Sequence, residues 1–226
     1  MKRSAINAII RRAEQMAVDN KFFLPPFAAW TPEDWASKSG DYDEIRDNML
    51  GWDITDHGSG AFDKYGLVLF TIRNGNRHGE RYPKTYAEKL LILEEGQTCP
   101  CHFHWSKMED IINRGGGTLL IRVHNSMNDG ALAETPVTVC VDGHRRTVPA
   151  GGVLRLTPGE SVTLTPGMYH SFFCEAGGGA VLIGEVSQCN DDKTDNRYLE
   201  ALGHFPEIEE DEPPYRLLCT EYPAEA

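Results

Sequence analysis

The feature that most constrains the fold of this chain is a series of short β-rich segments that begins at Gly66. Gly, Pro and Asp separate these segments, and Asp142-Gly143, Pro158-Gly159 and Pro166-Gly167 are typical tight-turn pairs. A series of about eight or nine short strands at this spacing predicts an antiparallel sandwich or barrel. The predicted strands span residues 67–73, 86–94, 118–124, 136–141, 144–148, 153–157, 160–165, 168–174 and 180–186.

The chain before these segments has a different pattern. Apolar residues recur at helical spacing over residues 4–19, which predicts an amphipathic helix that ends before Pro25-Pro26. Thr31-Pro32-Glu33-Asp34 is typical of a helix start and predicts a second, short helix through Trp35. The Gly- and Asp-rich stretch 40–63 is predicted to be irregular.

The charge balance excludes two classes of partner. The chain has 226 residues, 34 acidic and 22 basic side chains, and a formal net charge of −12. Nucleic acid and anionic membrane surfaces are bound by clustered Lys and Arg, so we expect neither as a partner. The acidic run 209–212 is expected to be a solvated surface segment.

Nothing in the sequence indicates export or insertion into a membrane. The start of the chain lacks the apolar core of a signal peptide, and no stretch reaches the roughly 20 apolar residues that span a bilayer. The six cysteines have neither disulfide-framework nor zinc-finger spacing. We therefore expect free thiols and a cytoplasmic protein.

The most informative segment contains two histidines and a glutamate. Residues two apart on a strand face the same side, so His102 and His104 are predicted to point together into the barrel. Imidazoles suit a divalent metal, and Glu109 can return a carboxylate to the same centre after a turn. A His-x-His pair alone is weak evidence for a metal site, because such pairs are common on exposed strands. The added acid and flanking glycines strengthen the prediction of a metal site.

This segment resembles the first motif of the cupin superfamily, Gly-x5-His-x-His-x4-Glu-x6-Gly. All of its fixed positions are present, namely Gly96, His102, His104, Glu109 and Gly116. The second motif, Gly-x5-Pro-x-Gly-x2-His-x3-Asn, is matched by Gly159, Gly167 and His170, with Thr165 and Cys174 in place of the usual Pro and Asn. The resemblance implies a mainly β cupin barrel, also called a double-stranded β-helix or jelly roll, and it makes His170 the third imidazole.

The ligand set that the motifs imply is His102, His104, Glu109 and His170. Three imidazoles and one carboxylate leave two open positions on an octahedral metal, enough to chelate two adjacent substrate oxygens. Such mixed donors accept Mn, Fe, Co, Ni or Zn. We expect one divalent metal ion per chain, with Mn preferred.

Three longer stretches, 84–89, 102–110 and 184–197, resemble the D-lyxose isomerase family, a group of cupin-fold, metal-dependent aldose–ketose isomerases. The resemblance covers residues 60–200 most closely, and the family's N-terminal helical arm is comparable to residues 1–40. It implies an isomerase that interconverts D-lyxose and D-xylulose, and D-mannose and D-fructose. A metal-stabilised enediol is the predicted intermediate of this reaction, and a hydride shift between the two carbons is the alternative. The partner is then a small neutral sugar.

Aldose–ketose isomerisation needs a group that moves a carbon-bound proton and a second group that handles a proton on oxygen. Glu185, on the strand 180–186, is predicted to point inward as the base. Lys107, between His104 and Glu109, is predicted to assist at a substrate oxygen. The alternatives are an outward-facing glutamate and an exposed loop lysine.

Four further residues are predicted to contact the sugar. Asp195 and Arg197 follow the strand 180–186 and, in keeping with the family resemblance, could bond to substrate hydroxyls; a solvated loop ion pair is the alternative. Lys89 is in phase to face the barrel, although it could equally face solvent. Trp105 is predicted to form an apolar wall under the sugar ring, with a place in the core as the alternative.

Five histidines have no partner at ligand spacing and are left unassigned: His57, His78, His124, His144 and His204.

The predicted organisation has three parts: an N-terminal helical and irregular arm (1–60), a cupin barrel (61–187) and an acidic C-terminal extension that packs on the barrel (188–226). We expect a homodimer, because arms ahead of such barrels often cross to a partner and Ile9, Ile10 and Met16 need burial. Two other functions fit a cupin barrel: an Fe(II)-dependent dioxygenase and a non-catalytic sugar-binding protein.

Overall fold

A computed structural model describes residues 1–76, 81–192, 194–203 and 207–224 of the chain. Its α-helices are α1 (Arg3–Asp19), α2 (Pro32–Ala36), α3 (Asp43–Asp47) and α4 (Phe62–Tyr65), and two 3-10 helices span Pro26–Ala29 and Gly40–Tyr42. The strands are β1 (Gly51–Thr55), β2 (Leu67–Arg73), β3 (Tyr86–Leu93), β4 (Thr98–His104), β5 (Glu109–Gly116), β6 (Leu119–Asn125), β7 (Val137–Val141), β8 (His144–Val148), β9 (Val153–Leu156), β10 (Ser161–Leu164), β11 (Met168–Cys174), β12 (Val181–Gln188) and β13 (Asn196–Tyr198).

These strands form two antiparallel sheets. The larger sheet has the order β1-β2-β3-β12-β5-β10-β7-β8, and the smaller has the order β13-β4-β11-β6-β9. A core cluster that includes Leu91, Ile111, Ile121, Leu154 and Ile183 draws residues from both sheets. The main core therefore lies between the sheets, and the predicted mainly β barrel is confirmed.

The second apolar cluster explains why the central strands are buried on both faces. Ile6 and Ile10 of α1 pack with Phe70, Leu90 and Leu182, which lie on β2, β3 and β12. The helix thus covers the outer face of the larger sheet, and these strands read as continuous apolar runs rather than as an alternating pattern. The predicted helix over residues 4–19 is confirmed by α1.

The short second helix is confirmed as well. It begins with a reciprocal pair of hydrogen bonds, in which the Thr31 side chain accepts from Asp34 N and the Asp34 carboxylate accepts from Thr31 N. Pro32 occupies its first turn, where the missing N–H has no helical partner to lose.

The prediction that residues 40–63 are irregular is wrong in part, because they contain β1. This strand pairs with β2 from Gly51↔Thr71 to Thr55↔Leu67, and all five of its residues are buried. A strand buried on both faces has no period of two to reveal it. The division of the chain into three parts stays a prediction. Strand β1 belongs to the predicted arm (1–60) and pairs into the larger sheet.

The acidic run 209–212 is exposed, but its carboxylates are not all free. Lys2, the residue before α1, provides no side-chain cap for the helix, and Ser4 N donates instead to Asp211 Oδ1 at 2.8 Å. The Asn7 amide donates to Glu212 Oε1 at 2.6 Å. The run therefore places negative charge at the start of α1, where a helix favours it.

Replacing Arg3 by methionine should destabilise the fold. The Arg3 guanidinium is buried and is held by the carboxylates of Glu210 and Glu221. Without it, two carboxylates beside α1 lose their cation. Because Glu210 is mostly exposed and water can solvate it, we expect a moderate loss of about 2 kcal/mol in the free energy of unfolding. Urea denaturation measures this loss. The control is Arg12→Met, which removes an exposed ion pair with Glu94 and should cost less than about 0.5 kcal/mol. Equal midpoints for both variants would contradict the prediction.

No helix in the described part of the chain has the length and apolar character needed to cross a membrane.

Candidate metal centre and active site

Three histidines converge at the interior face of the smaller sheet. His102 and His104 are two positions apart on β4 and so share one face of the strand. His170 on β11 lies directly opposite His102 in the strand register. One ring nitrogen from each lies within 4.8 Å of the others, and all three side chains are buried. The period of two on β4 and the antiparallel register of β11 thus produce the cluster.

Hydrogen bonds orient two of the rings. His102 Nδ1 lies 2.8 Å from the Pro100 carbonyl oxygen, and His170 Nδ1 lies 3.0 Å from that of Met168. A carbonyl can only accept, so each Nδ1 donates its proton there, and Nε2 is the ring nitrogen that faces the centre of the cluster. Burial lowers the pKa of His102 well below its ordinary value and lowers the pKa of His104 too, so both rings are neutral, as metal ligands must be.

Glu109 completes the group from the opposite sheet. The first residue of β5, it places Oε2 3.3 Å from His104 Nε2 and Oε1 3.2 Å from His170 Nε2. Burial opposes its ionisation, but the Lys107 ammonium holds the pKa of this carboxyl well below its usual range. Three imidazoles and one carboxylate fit a borderline divalent cation, because such ions accept ring nitrogens and carboxylate oxygens as donor atoms.

A buried chain of charges extends from this group. Lys107 Nζ lies 2.8 Å from Glu109 Oε2 and 2.8 Å from Glu185 Oε1. Burial disfavours the ammonium, but Glu109 and Glu185 raise its pKa above the ordinary value, so Lys107 stays protonated. Ser187 Oγ donates to the same Glu185 oxygen at 3.1 Å. The structure therefore places both residues predicted to move protons in the interior, beside the three histidines.

Lys89 also faces the interior. It is buried on β3, opposite Glu185 of β12 in the register, with its Nζ 4.0 Å from Glu185 Oε1 and 3.7 Å from Asp192 Oδ1.

The cluster lies in a small cavity of about 50 Å³ that adjoins a larger one of about 780 Å³. Both are lined by Leu69, Lys89, Asp192, Asn196 and Tyr198. The remaining lining of the larger cavity is rich in carboxylates and amides, including Asp47, Asp53, Asn74, Asn190 and Asp191. Such a wall offers hydrogen-bond partners to hydroxyl groups.

Three of the predicted sugar contacts lie elsewhere. Trp105 is 58% exposed and packs edge-on against Phe103, on the side of β4 away from the histidines. Arg197 pairs with Phe103 in the register and its Nε donates to Tyr169 Oη at 3.2 Å, on that same outer side. Asp195 is buried against the loop between β4 and β5. Their predicted contacts with the sugar stay predictions.

Sequence reasoning missed several residues that line the cavities. Asn196 and Tyr198 pair with His104 and His102, so they share the interior face of β4. His57, left unassigned for want of a partner at ligand spacing, is buried and lines the smaller cavity. The segment 196–198 (Asn-Arg-Tyr) is polar throughout, so no alternation in the sequence marked the residues that face inward.

His124 and His144 are not part of the cluster. His78 and His204 lie outside the described residues.

Known proteins resemble the chain over nearly its whole length. A family model described as D-lyxose isomerase matches residues 1–222. A D-lyxose/D-mannose isomerase of Serratia proteamaculans is 51% identical over 223 residues, which cover 98% of this chain and 98% of that protein. A D-lyxose/D-mannose isomerase of Escherichia coli O157:H7 is 48% identical, with the same coverage of both chains.

A solved structure is similar in fold. The L-ribose isomerase of Cellulomonas parahominis, determined with no ligand, matches with a TM-score of 0.60 and 15% identity, over 92% of this chain and 98% of that one. At this identity the likeness concerns the fold alone, and it confirms the predicted cupin barrel. The family match and the two close relatives go further, and they confirm the resemblance found in the motifs. The chain therefore belongs to the D-lyxose isomerase family, a family of sugar isomerases.

Proposed function

We propose that this protein interconverts D-lyxose and D-xylulose, and D-mannose and D-fructose, with one divalent metal ion held by His102, His104, Glu109 and His170. The observation that carries the proposal is the contact between Lys107 and Glu185 beside the three histidines, because it puts a cation and a carboxylate next to one site. A sugar-binding protein would need hydroxyl partners but no such pair. The names of the two close relatives support the choice of substrates.

The metal ion, when bound, would supply a Lewis acid that binds the oxygens on C1 and C2 and acidifies the adjacent C–H bond. Nitrogen and oxygen donors would hold it. Cys101 does not compete, since burial raises the pKa of its thiol to about 11 and keeps it protonated.

Glu185 would act as the base. Its carboxylate takes the proton from C2 of the aldose, the enediol of the sugar forms, and the same carboxylate returns the proton to C1. Lys107 would exchange protons with the sugar oxygens. Its ammonium donates a proton to O1 and recovers one from the hydroxyl on C2, so protons balance over the cycle. Because Lys107 Nζ and Glu185 Oε1 are 2.8 Å apart, they can reach neighbouring atoms of one substrate.

The larger cavity would hold the rest of the sugar. Lys89, Asp192, Asn196 and Tyr198 stand where the two cavities meet, and carboxylates and amides line the space beyond. These groups bond well to hydroxyls, and the carboxylates disfavour an anionic substituent. This lining supports a neutral sugar as substrate.

We also propose Mn²⁺ as the ion, a homodimer as the assembly and the cytoplasm as the location. All six cysteines are free, which supports a reducing compartment. One argument for the dimer no longer applies, because Ile9 and Ile10 are buried within the chain itself. Val18 and Phe23, 59% and 84% exposed near the end of α1, are the apolar side chains that a partner would cover. Light scattering on the purified protein tests the dimer.

The function is tested by incubating Mn²⁺-loaded protein with D-lyxose and separating the products by chromatography. We expect D-xylulose to form without oxygen, and EDTA to slow its formation by at least about 100-fold because the Lewis acid is lost. Run in D₂O, the reaction should place some deuterium at C1 of the ketose, because the proton held by Glu185 can exchange with solvent before it is returned. Hydride transfer between the carbons introduces no deuterium, so labelled product would refute it.

Absence of ketose with every metal tried would refute the isomerase proposal. Oxygen consumption that requires iron would favour the dioxygenase instead.

A further inference from the structure

One residue, Asp195, holds the loop that carries Lys107. This loop, residues 105–108, joins β4 to β5 and so connects the two sheets. Ser106 N donates to Asp195 Oδ1 at 2.9 Å and Lys107 N donates to Asp195 Oδ2 at 3.0 Å. Trp105 N donates to the Asp195 carbonyl oxygen at 2.9 Å. Three successive N–H groups of the loop therefore meet on one residue.

The Ser106 hydroxyl strengthens this contact. It donates to Asp195 Oδ1 at 2.6 Å, a short distance typical of a hydrogen bond to a charged acceptor. Asp195 N in turn donates to the Asp191 carbonyl oxygen at 3.0 Å, which anchors the segment before β13. Asp195 is buried, so these bonds are shielded from competing water.

The position of the Lys107 ammonium depends on this anchor. Its Nζ reaches both Glu109 and Glu185 at 2.8 Å, so a small shift of the Lys107 backbone would lengthen two bonds together. Asp195 itself lines neither cavity. Its carboxylate contacts the backbone of the loop at Ser106 and Lys107.

We infer that Asp195 is a positioning residue whose carboxylate holds Lys107 in reach of the substrate oxygens. This role differs from the direct sugar contact that the sequence predicted for Asp195. The inference rests on the proposed isomerase reaction, in which Lys107 contacts the substrate.

A double-mutant cycle tests the inference with Asp195→Asn, Lys107→Gln and both together. In Asp195→Asn an NH₂ group replaces one carboxylate oxygen and faces a backbone N–H, so the loop loses an acceptor. We expect kcat for D-lyxose to fall about 30-fold with KM changed less than about 2-fold, because a displaced group mainly costs turnover. In the Lys107→Gln background, Asp195→Asn should lower kcat by less than about 2-fold. Bound metal, measured by mass spectrometry, should stay equal in all four proteins.

Two further variants keep the test independent of any one mutant. Ser106→Ala removes a single side-chain bond to Asp195 and should change kcat by less than about 3-fold. Asp195→Glu keeps the charge but lengthens the side chain by one methylene, and it should lower kcat about 5-fold with KM unchanged, even if Asp195→Asn does not fold.

Four results would overturn the inference: equal losses from Asp195→Asn with and without Lys107, a rise in KM at constant kcat, loss of bound metal, or wild-type turnover by Asp195→Glu. An inactive wild-type protein would instead refute the proposed function.

Discussion

Replacing Glu185 by glutamine will lower kcat for D-lyxose by about 1000-fold, because an amide cannot take up the carbon-bound proton. The exchange is nearly isosteric, and the amide oxygen can still accept from Lys107 and Ser187. The loss should fall on kcat and on kcat/KM alike, since the carboxylate acts in the proton transfer and not in holding the sugar. Stopped assays that detect D-xylulose measure the change.

The metal content of this variant separates a base from a ligand. Glu185 is not among the three histidines and the glutamate proposed to hold the ion, so its glutamine variant should bind one equivalent as the wild type does. Deuterium exchange into D-lyxose from D₂O should fall with turnover, because both depend on the same proton transfer.

Glu88→Gln is the matched control for Glu185→Gln. Glu88 lies on the adjacent strand, one position before Lys89, and it pairs with Arg73 at 3.2 Å near the surface. Its loss should leave kcat within about 2-fold of the wild type. A Glu185→Gln protein with full activity would remove Glu185 from the mechanism, and one without metal would make it a ligand.

The parts of the fold that the sequence predicts are those set by local rules. Asp142 and Gly143 both adopt positive φ, at 47° and 80°, and they join β7 to β8 by a two-residue turn as the Asp-Gly pair predicts. The His102/His104 pair is local in the same sense, because a strand's period of two brings the rings together whatever the rest of the chain does.

The parts that could not be predicted depend on pairing between distant segments. β13 has three residues, too few to show a pattern, and its pairing with β4 decides which of them face the histidines. In the observed register Asn196 and Tyr198 face inward, and Arg197 therefore faces outward. A shift of one residue would reverse this choice. Sequence reasoning found the right segment and could not tell its two faces apart.

Glu185 lies between these two cases, because its strand could be predicted locally but its orientation could not. Its strand was evident from the apolar run before it, but whether the carboxylate faced inward depended on pairing with β3 and β5. The register sets Glu185 beside Lys89 and Ile111, and the loop at Lys107 reaches over to it. A buried acid on an apolar strand needs such a partner, so the residue type was informative even though its contacts were not.

Replacing His102 by alanine will remove the bound metal and with it turnover. His102 is buried between His104 and His170, with ring centroids 5.2 and 4.3 Å away, so its loss leaves two imidazoles and one carboxylate. We expect less than about 10% of the wild-type metal after dialysis and a loss of activity of at least about 1000-fold, because the binding free energy of the site is shared among its ligands.

Thermal unfolding measures the loss of metal binding without an activity assay. Mn²⁺ at about 100 times its Kd stabilises a protein that binds it only when folded by about 2.7 kcal/mol. For a chain of this length, that corresponds to a rise in Tm of about 5–10 °C. The wild type should show the rise and His102→Ala should not, whereas the control His144→Ala, at an exposed position on β8, should behave as the wild type. Because the test reads binding directly, an equal rise in His102→Ala would place the ion at other residues even if the variant were inactive.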